Sequence, residues 1–171
     1  MPLTPFHLGP GLFFGTIFLK YIDFLAFLLG SVVLDVEPFF IVLRELIEKK
    51  DYAHHQFFHT ILGAFLASLV ASFILNKFQN RIRKEFKRYK LFQKIGFSKS
   101  SSFSKIFFSV FSGAILHLLF DALMHYDVFP FWPSKYNPLL RKISFMQNYY
   151  ICTALGILGI ILLIFYLRKK K

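Results

Sequence analysis

Long apolar runs without a charged residue, separated by dense basic blocks, constrain this chain more than any other feature. Phe57–Leu75 and Tyr149–Leu167 each hold 19 residues free of Lys, Arg, Asp and Glu, and about 20 apolar residues span a bilayer as a helix. The chain is 56% hydrophobic, whereas a soluble domain is about 45–50% apolar. These features predict an integral membrane protein. They argue against a soluble DNA-binding domain, so no nucleic acid partner is expected despite a net charge of +12.

The order of the apolar segments predicts an all-α helical bundle that forms a single transmembrane domain over residues 1–171. Leu8–Leu43 is expected to form a short helical hairpin that turns near Lys20. Pro38 is expected to end or kink the second arm of this hairpin. Three further spans are predicted, at Phe57–Leu75, Ile106–Met124 and Tyr149–Leu167.

A basic segment, residues 77–105, links the first two of these three spans and carries ten Lys and Arg with one acid. Within it, Arg81–Gln93 is predicted to be a basic amphipathic helix on an anionic membrane surface, so membrane lipids are the expected partners. The side of the membrane that holds this linker collects 15 Lys and Arg, against six on the other side. The positive-inside rule therefore predicts a multi-pass cell-membrane protein with the linker in the cytoplasm and the N-terminus outside.

All six histidines map to the outward side of this topology, although the spans were placed without using them. They are His7, His54, His55, His59, His117 and His125, and the late part of the first hairpin adds Asp35 and Glu37. An Asp within a span costs roughly 2.5–3.5 kcal/mol to insert unless it is paired. The convergence therefore predicts a functional polar site near the outer lipid–water boundary.

Helical spacing places several of these groups on common faces. His117, Asp121 and His125 follow one another at intervals of four residues, and each interval rotates the side chain by only about 40°. His55 and His59 repeat the interval, which is typical of paired metal ligands on a helix. Imidazole with carboxylate suits a divalent metal, zinc first, and iron or manganese where carboxylates are more numerous.

Less specific interpretations stay open for the histidines. His117 and Asp121 could form a structural hydrogen-bonded pair, and the whole set could form a polar network without a metal. Only one of the adjacent His54 and His55 is expected to be a ligand, because neighbours on a helix point in different directions. A lone His7 is more often an interfacial residue.

The remaining polar residues also have more than one interpretation. Glu37 is a further ligand, a general base or a solvated helix-end charge. Asp51 and Asp127 are expected to be loop charges. Cys152 lies within an apolar run, far from any partner that would make it a nucleophile.

Five short motifs occur in order along most of the chain: MPLTPFHLGPG, LDVEPF, HHQFFHTILGA, HLLFDALMHYDVFPFWP and NPLL. In their order and spacing they resemble a family of membrane-bound, metal-dependent hydrolases of archaea and bacteria, the LexA-binding inner-membrane type. The resemblance implies a metal-dependent hydrolase. Bacterial inner-membrane relatives often carry Asp-x-Asp-His where this chain has Asp35-Val36-Glu37-Pro38, and this difference affects one expected ligand.

The same residues are similar to the metal ligands of zinc-dependent phospholipase C enzymes, which are all-helical. That resemblance implies ligands at His7, Asp35, His59, His117 and Asp121, completed by His55 and His125. We therefore expect a metal-dependent hydrolase of a phosphoester or lipid-type substrate, with Asp35 and Glu37 as the candidate catalytic residues. The alternative is a non-catalytic metal-binding or structural membrane protein.

Overall fold

The computed structural model describes residues 5–50, 52, 57–97 and 99–169, and within them every regular element is helical. A short 3-10 turn, Pro5–His7, leads into the first α-helix. The α-helices of these residues are α1 (Leu8–Ile17), α2 (Phe24–Val33), α3 (Val36–Glu48), α4 (Ile61–Phe86), α5 (Lys90–Lys94), α6 (Phe103–Met124) and α7 (Phe145–Lys169). The predicted all-α fold is confirmed.

The predicted N-terminal hairpin consists of α1 and α2, joined by a turn through residues 18–23. Asp23 caps α2, because its side chain accepts a hydrogen bond from the backbone N–H of Ala26 at 3.1 Å. The second arm ends at Val33, and α3 begins after a turn at residues 34–35, with Pro38 in its first helical turn. The prediction that Pro38 ends or kinks the arm is therefore confirmed, because the helix is interrupted at Leu34, the residue whose carbonyl the proline cannot bond and its ring would crowd. A proline in the first turn gives up an N–H that has no intrahelical partner.

Four helical stretches are long and apolar enough to cross a membrane. They are Phe24–Glu48, taken across its internal turn, Ile61–Phe86, Phe103–Met124 and Phe145–Lys169. The last three confirm the predicted spans. α4 begins later than predicted because Thr60 caps it, accepting a hydrogen bond from the backbone N–H of Gly63 at 2.9 Å.

The basic segment is divided between two helices. α4 continues through Arg83, and the separate, short α5 starts only after residues 87–89. The predicted continuous helix Arg81–Gln93 is therefore wrong, because a buried ion pair holds this end of α4 against the bundle. Arg83 donates to Asp23 Oδ2 at 2.5 Å, and both side chains are almost fully buried. Breaking such a pair is costly, since it leaves an uncompensated charge in the interior.

α6 lies at the centre of the bundle, packed against α2 and α4, whereas α1 pairs with α7. Glycines allow α2 and α6 to approach closely. A Cβ atom on Gly30 would lie 2.0 Å from the carbonyl oxygen of Val110. A Cβ atom on Gly113 would lie 2.3 Å from the carbonyl oxygen of Phe27. This contact sets the C-terminal half of α6, which carries His117, directly against the end of α2.

Candidate metal centre

Most of the residues predicted for the site lie together at one end of the bundle. They are His7 before α1, Asp35 between α2 and α3, His59 before α4, His117 and Asp121 on α6, and His125 at its end. All of them except Asp35 are buried. His54, His55 and Asp51 lie outside the described residues, so their expected roles stay predictions.

The Asp121 carboxylate lies at the centre of this cluster. Its Oδ1 atom is 3.1 Å from His7 Nε2 and 3.9 Å from His125 Nε2. Its Oδ2 atom is 3.0 Å from His117 Nε2 and 3.3 Å from His59 Nε2. Side chains four residues apart share a helix face, which explains how α6 supplies three members of the cluster.

Asp35 brings a second carboxylate to the cluster, with its Oδ1 atom 3.6 Å from His117 Nε2. Asp35, His59 and His117 each offer one ligand atom, and these three atoms lie within 4.8 Å of one another. The same holds for His7, His117 and Asp121. The two groups share His117, and their members are the residues that could hold one or two metal ions.

Hydrogen bonds fix the orientation of two histidine rings. His117 Nδ1 lies 2.8 Å from the carbonyl oxygen of Ser31, so this nitrogen must donate. His59 Nδ1 lies 3.0 Å from Glu37 Oε2, an atom that accepts when the carboxylate is ionised. In the neutral rings, both Nε2 atoms then carry lone pairs, and both face the ionised Asp121, which offers only lone pairs as well. Between each Nε2 atom and the Asp121 carboxylate there must therefore be either a proton carried by the ring or a bound cation.

Glu37 contacts the other ring nitrogen of His59 and not the one that faces Asp121. Its carboxylate accepts a hydrogen bond from His59 Nδ1 and from the backbone N–H of Phe58, at 3.1 Å to Oε1 and 3.2 Å to Oε2. Its side chain is only 13% exposed, so it is not a solvated helix-end charge. A carboxylate in this position orients a metal-binding imidazole and raises its basicity. The ligand and general-base roles of Glu37 stay predictions.

The charges around His59 favour its protonated form when no metal is bound. His59 lies in the turn before α4, outside the helical span. Burial opposes protonation, but hydrogen bonds to Asp121 and Glu37 outweigh it and raise the pKa of His59 to about 9. A metal ion that bound to this ring would therefore displace a proton.

Two polar residues in the loop after α6 were not recognised as part of this region. Asp127 lies in this loop, as expected, but it is only 8% exposed. Asn137 donates through its amide to the carbonyl oxygens of Ala122 at 2.9 Å and Val128 at 3.2 Å. These bonds tie the loop to the end of α6 that carries His125. The Asn–Pro pair of the NPLL motif is the sequence signal for this turn.

Comparison with known proteins supports the membrane location. Neither the curated proteins nor the solved structures include a significant match to the chain. The profile of the YdjM inner membrane protein family, in contrast, matches residues 2–170. Together with the four apolar helical stretches, this match assigns the protein to a membrane. Because the match extends over nearly the whole sequence, the chain belongs to the YdjM inner membrane protein family.

Proposed function

We propose that this protein is a membrane-bound, metal-dependent hydrolase that cleaves a phosphoester or lipid-type substrate. One observation carries the proposal. The Nε2 atoms of His59 and His117 both face the Asp121 carboxylate. In the neutral rings, these nitrogens present lone pairs to carboxylate oxygens that also offer only lone pairs. A divalent cation satisfies the two rings and the carboxylate together, with the imidazoles neutral and the carboxylate ionised.

The donor set suits zinc best, followed by iron or manganese. The proposed ligands are His7, Asp35, His59, His117, Asp121 and His125, with the sequence-predicted His55 in addition. Two ligands at about 2.0–2.2 Å from a tetrahedral zinc ion lie about 3.3–3.6 Å apart. The nitrogen–oxygen distances in the cluster run from 3.0 to 3.9 Å. The cluster therefore needs little rearrangement to accept an ion.

A bound ion would supply Lewis acidity toward a phosphoryl oxygen and would lower the pKa of a water molecule. Residues of the protein itself orient the ligands and accept the proton. The Ser31 carbonyl and the Glu37 carboxylate hold the rings of His117 and His59 in place. Asp35 is the most exposed member of the cluster, with 16% of its side chain accessible. We therefore assign to Asp35 the position that faces the substrate and accepts a proton from the attacking water.

A second candidate is a structural or non-catalytic metal-binding membrane protein. It is favoured by the contacts of Asp121, which lies within 3.3 Å of nitrogens of three histidines. Protonated rings alone could satisfy this carboxylate. The cluster would then be a hydrogen-bonded network that holds α1, α4 and α6 together.

Elemental analysis of the purified protein separates a metal centre from a metal-free hydrogen-bonded network. The wild type is compared with Asp121→Asn, which removes the central charge, and with Glu85→Gln, the same change at an exposed position. We expect stoichiometric zinc, iron or manganese in the wild type and in Glu85→Gln, and loss of the metal in Asp121→Asn. Absence of metal from the wild type, even after incubation with zinc, would overturn the proposal.

Activity is tested separately on protein with its metal restored. A panel of phosphomonoesters, phosphodiesters and phospholipids in mixed micelles is incubated with the wild type, Asp35→Asn and Glu85→Gln. We expect the wild type and Glu85→Gln to cleave at least one phosphoester, and Asp35→Asn to show lower turnover per bound metal ion. A metal-replete protein that cleaves none of them supports the non-catalytic candidate.

A further inference from the structure

An apolar furrow follows α4 along the lipid-facing surface of the bundle. Its outer part, a groove of about 330 Å³, is lined by residues of α4 and by Val33, Val36, Phe57 and Phe58. Its inner part, about 590 Å³, lies between α2 and α4 and extends to Phe86. Both parts share Val33 and two residues of α4, so they form one continuous depression.

The outer end of the furrow borders the candidate metal centre. Val36, in the groove wall, stands in the sequence between Asp35 and Glu37. Phe58, in the opposite wall, donates its backbone N–H to Glu37 and is followed directly by His59. Asp35 and Glu37 are also the partly exposed members of this region, with side chains 16% and 13% accessible. The end of the groove and the candidate metal centre are therefore built from the same two short segments, residues 35–37 and 58–59.

The location of the groove restricts what can occupy it. The wall of the outer groove contains only apolar residues, and α4 forms most of it within a membrane-spanning stretch. From Leu66 to Ile74 this wall advances eight residues, or about 12 Å at roughly 1.5 Å per residue. That length approaches half of the roughly 30 Å hydrocarbon core, the depth of one leaflet. Hydrocarbon is the matching occupant.

The helix beside the groove entrance also suits a lipid surface. α3 exposes Val36, Phe39, Phe40, Leu43 and Ile47, which recur at helical spacing along one face. Charged residues of the same helix, 44, 45 and 48, cluster near its end. Such an apolar face suits contact with the acyl region of a bilayer.

We propose that the outer groove binds an acyl chain of a membrane lipid whose phosphate-bearing headgroup reaches the candidate metal centre. The substrate then enters sideways from the bilayer, with its chain along α4. The headgroup part of this inference rests on the proposed function, whereas binding of the chain does not. A substrate held in this way is selected by chain length as well as by headgroup.

Photo-crosslinking tests the groove without requiring catalysis. The protein is placed in vesicles that contain a phospholipid with a diazirine midway along one acyl chain, and labelled peptides are mapped by mass spectrometry. We expect labels on Leu66, Val70 and Ile74 to exceed those on Ile157 and Leu158, which are comparably exposed apolar residues of α7. Even labelling of both helices would overturn the proposal, because it would indicate ordinary surrounding lipid.

A pair of matched variants sharpens this test. Ala67→Phe fills the groove, and Val70→Phe does so at a position that is 59% exposed and tolerant of bulk. Ala154→Phe makes the same change on the exposed surface of α7. We expect the two groove variants to lower the labelling of α4 about tenfold, the lower end of the discrimination that an apolar pocket achieves for one methylene group. Ala154→Phe should leave it unchanged. Unchanged α4 labelling in folded Val70→Phe would also contradict the proposal.

Metal and turnover measurements distinguish failure of the groove from failure of the proposed function. Asp121→Asn should keep the labelling pattern, because the chain site needs no metal. In metal-loaded protein, Val70→Phe should lower turnover of a long-chain phospholipid but not of a short, water-soluble phosphoester. Selective labelling without any hydrolysis supports the groove and removes the proposed function. Hydrolysis of soluble esters with uniform labelling supports the function and removes the groove.

Discussion

The Gly30→Ala variant tests whether the close contact between α2 and α6 keeps the residues of the candidate metal centre in position. A Cβ atom at this position would lie 2.0 Å from the carbonyl oxygen of Val110, which is 1.4 Å inside the 3.4 Å at which ordinary contact begins. Because the obstacle is backbone, Gly30→Ala must push the two helices apart by about 1 Å or more. The next residue, Ser31, accepts the bond from His117 Nδ1 at 2.8 Å. A displacement of this size lengthens it beyond hydrogen-bonding distance.

Two losses are expected from Gly30→Ala. Overpacking should cost about 1–3 kcal/mol of stability. Loss of the partner that orients His117 should lower metal affinity by about 10–100-fold. The matched control is Gly156→Ala, whose Cβ would lie 3.2 Å from Gly9 Cα and needs a shift of only 0.2 Å to reach 3.4 Å. Thermal unfolding in detergent and competition with a zinc chelator measure the two effects. A Gly30→Ala protein as stable and as tightly metal-bound as Gly156→Ala would refute this account.

Three further outcomes are expected. Glu37→Gln weakens the hold on His59 and should lower metal affinity by about 10–100-fold; unchanged chelator competition, with Glu85→Gln as the control, would contradict this role. Arg83→Gln leaves the buried carboxylate of Asp23 without its ion-pair partner and should destabilise the protein by about 3–5 kcal/mol. The control Arg88→Gln removes only an exposed pair and should be nearly neutral. Equal melting temperatures for the two variants would show that the buried pair does not stabilise the protein. In protein stripped of metal, the pKa of His59 in the folded state is about 9, above the ordinary value of 6.5. The protonated ring therefore contributes fully to the free energy of unfolding below pH 6.5, and this contribution is lost as the pH rises toward 9. Melting curves should follow this trend in the wild type, and a His59→Gln protein with the same pH dependence would argue against this assignment.

The part of the site on α6 was predictable because local geometry determines it. His117, Asp121 and His125 share a face through their spacing alone, and hydropathy together with charge sets the end of the bundle to which they belong. His7 and His59 stand just before the starts of α1 and α4. Knowing the direction of each span was enough to bring them to the same end.

The break after α2 was predictable from Pro38, whereas the long-range contacts around it were not. Pro38 has no N–H to bond the carbonyl of Leu34, so the helix stops at Val33 and a new helix begins with the proline in its first turn. The resulting turn places Asp35 beside His117 at 3.6 Å. The link from Glu37 to Phe58 and His59 joins residues more than 20 positions apart, and no periodic pattern reports such a contact. The burial of Arg83 was not predicted, because the Lys and Arg side chains of a basic run ordinarily face water.

The order of the elements along the chain has a consequence for biogenesis. Asp121 lies in a late helix, whereas the segments that carry His7, Asp35 and His59 are synthesised before it. Nascent chains fold from the N-terminus onward. When α6 leaves the ribosome, two of the ring nitrogens that face its carboxylate, those of His7 and His59, belong to segments that have already been made. Asp121 would be costly to insert into lipid alone, but it can enter the membrane next to these earlier segments. The order of translation therefore helps the membrane accommodate the buried polar cluster.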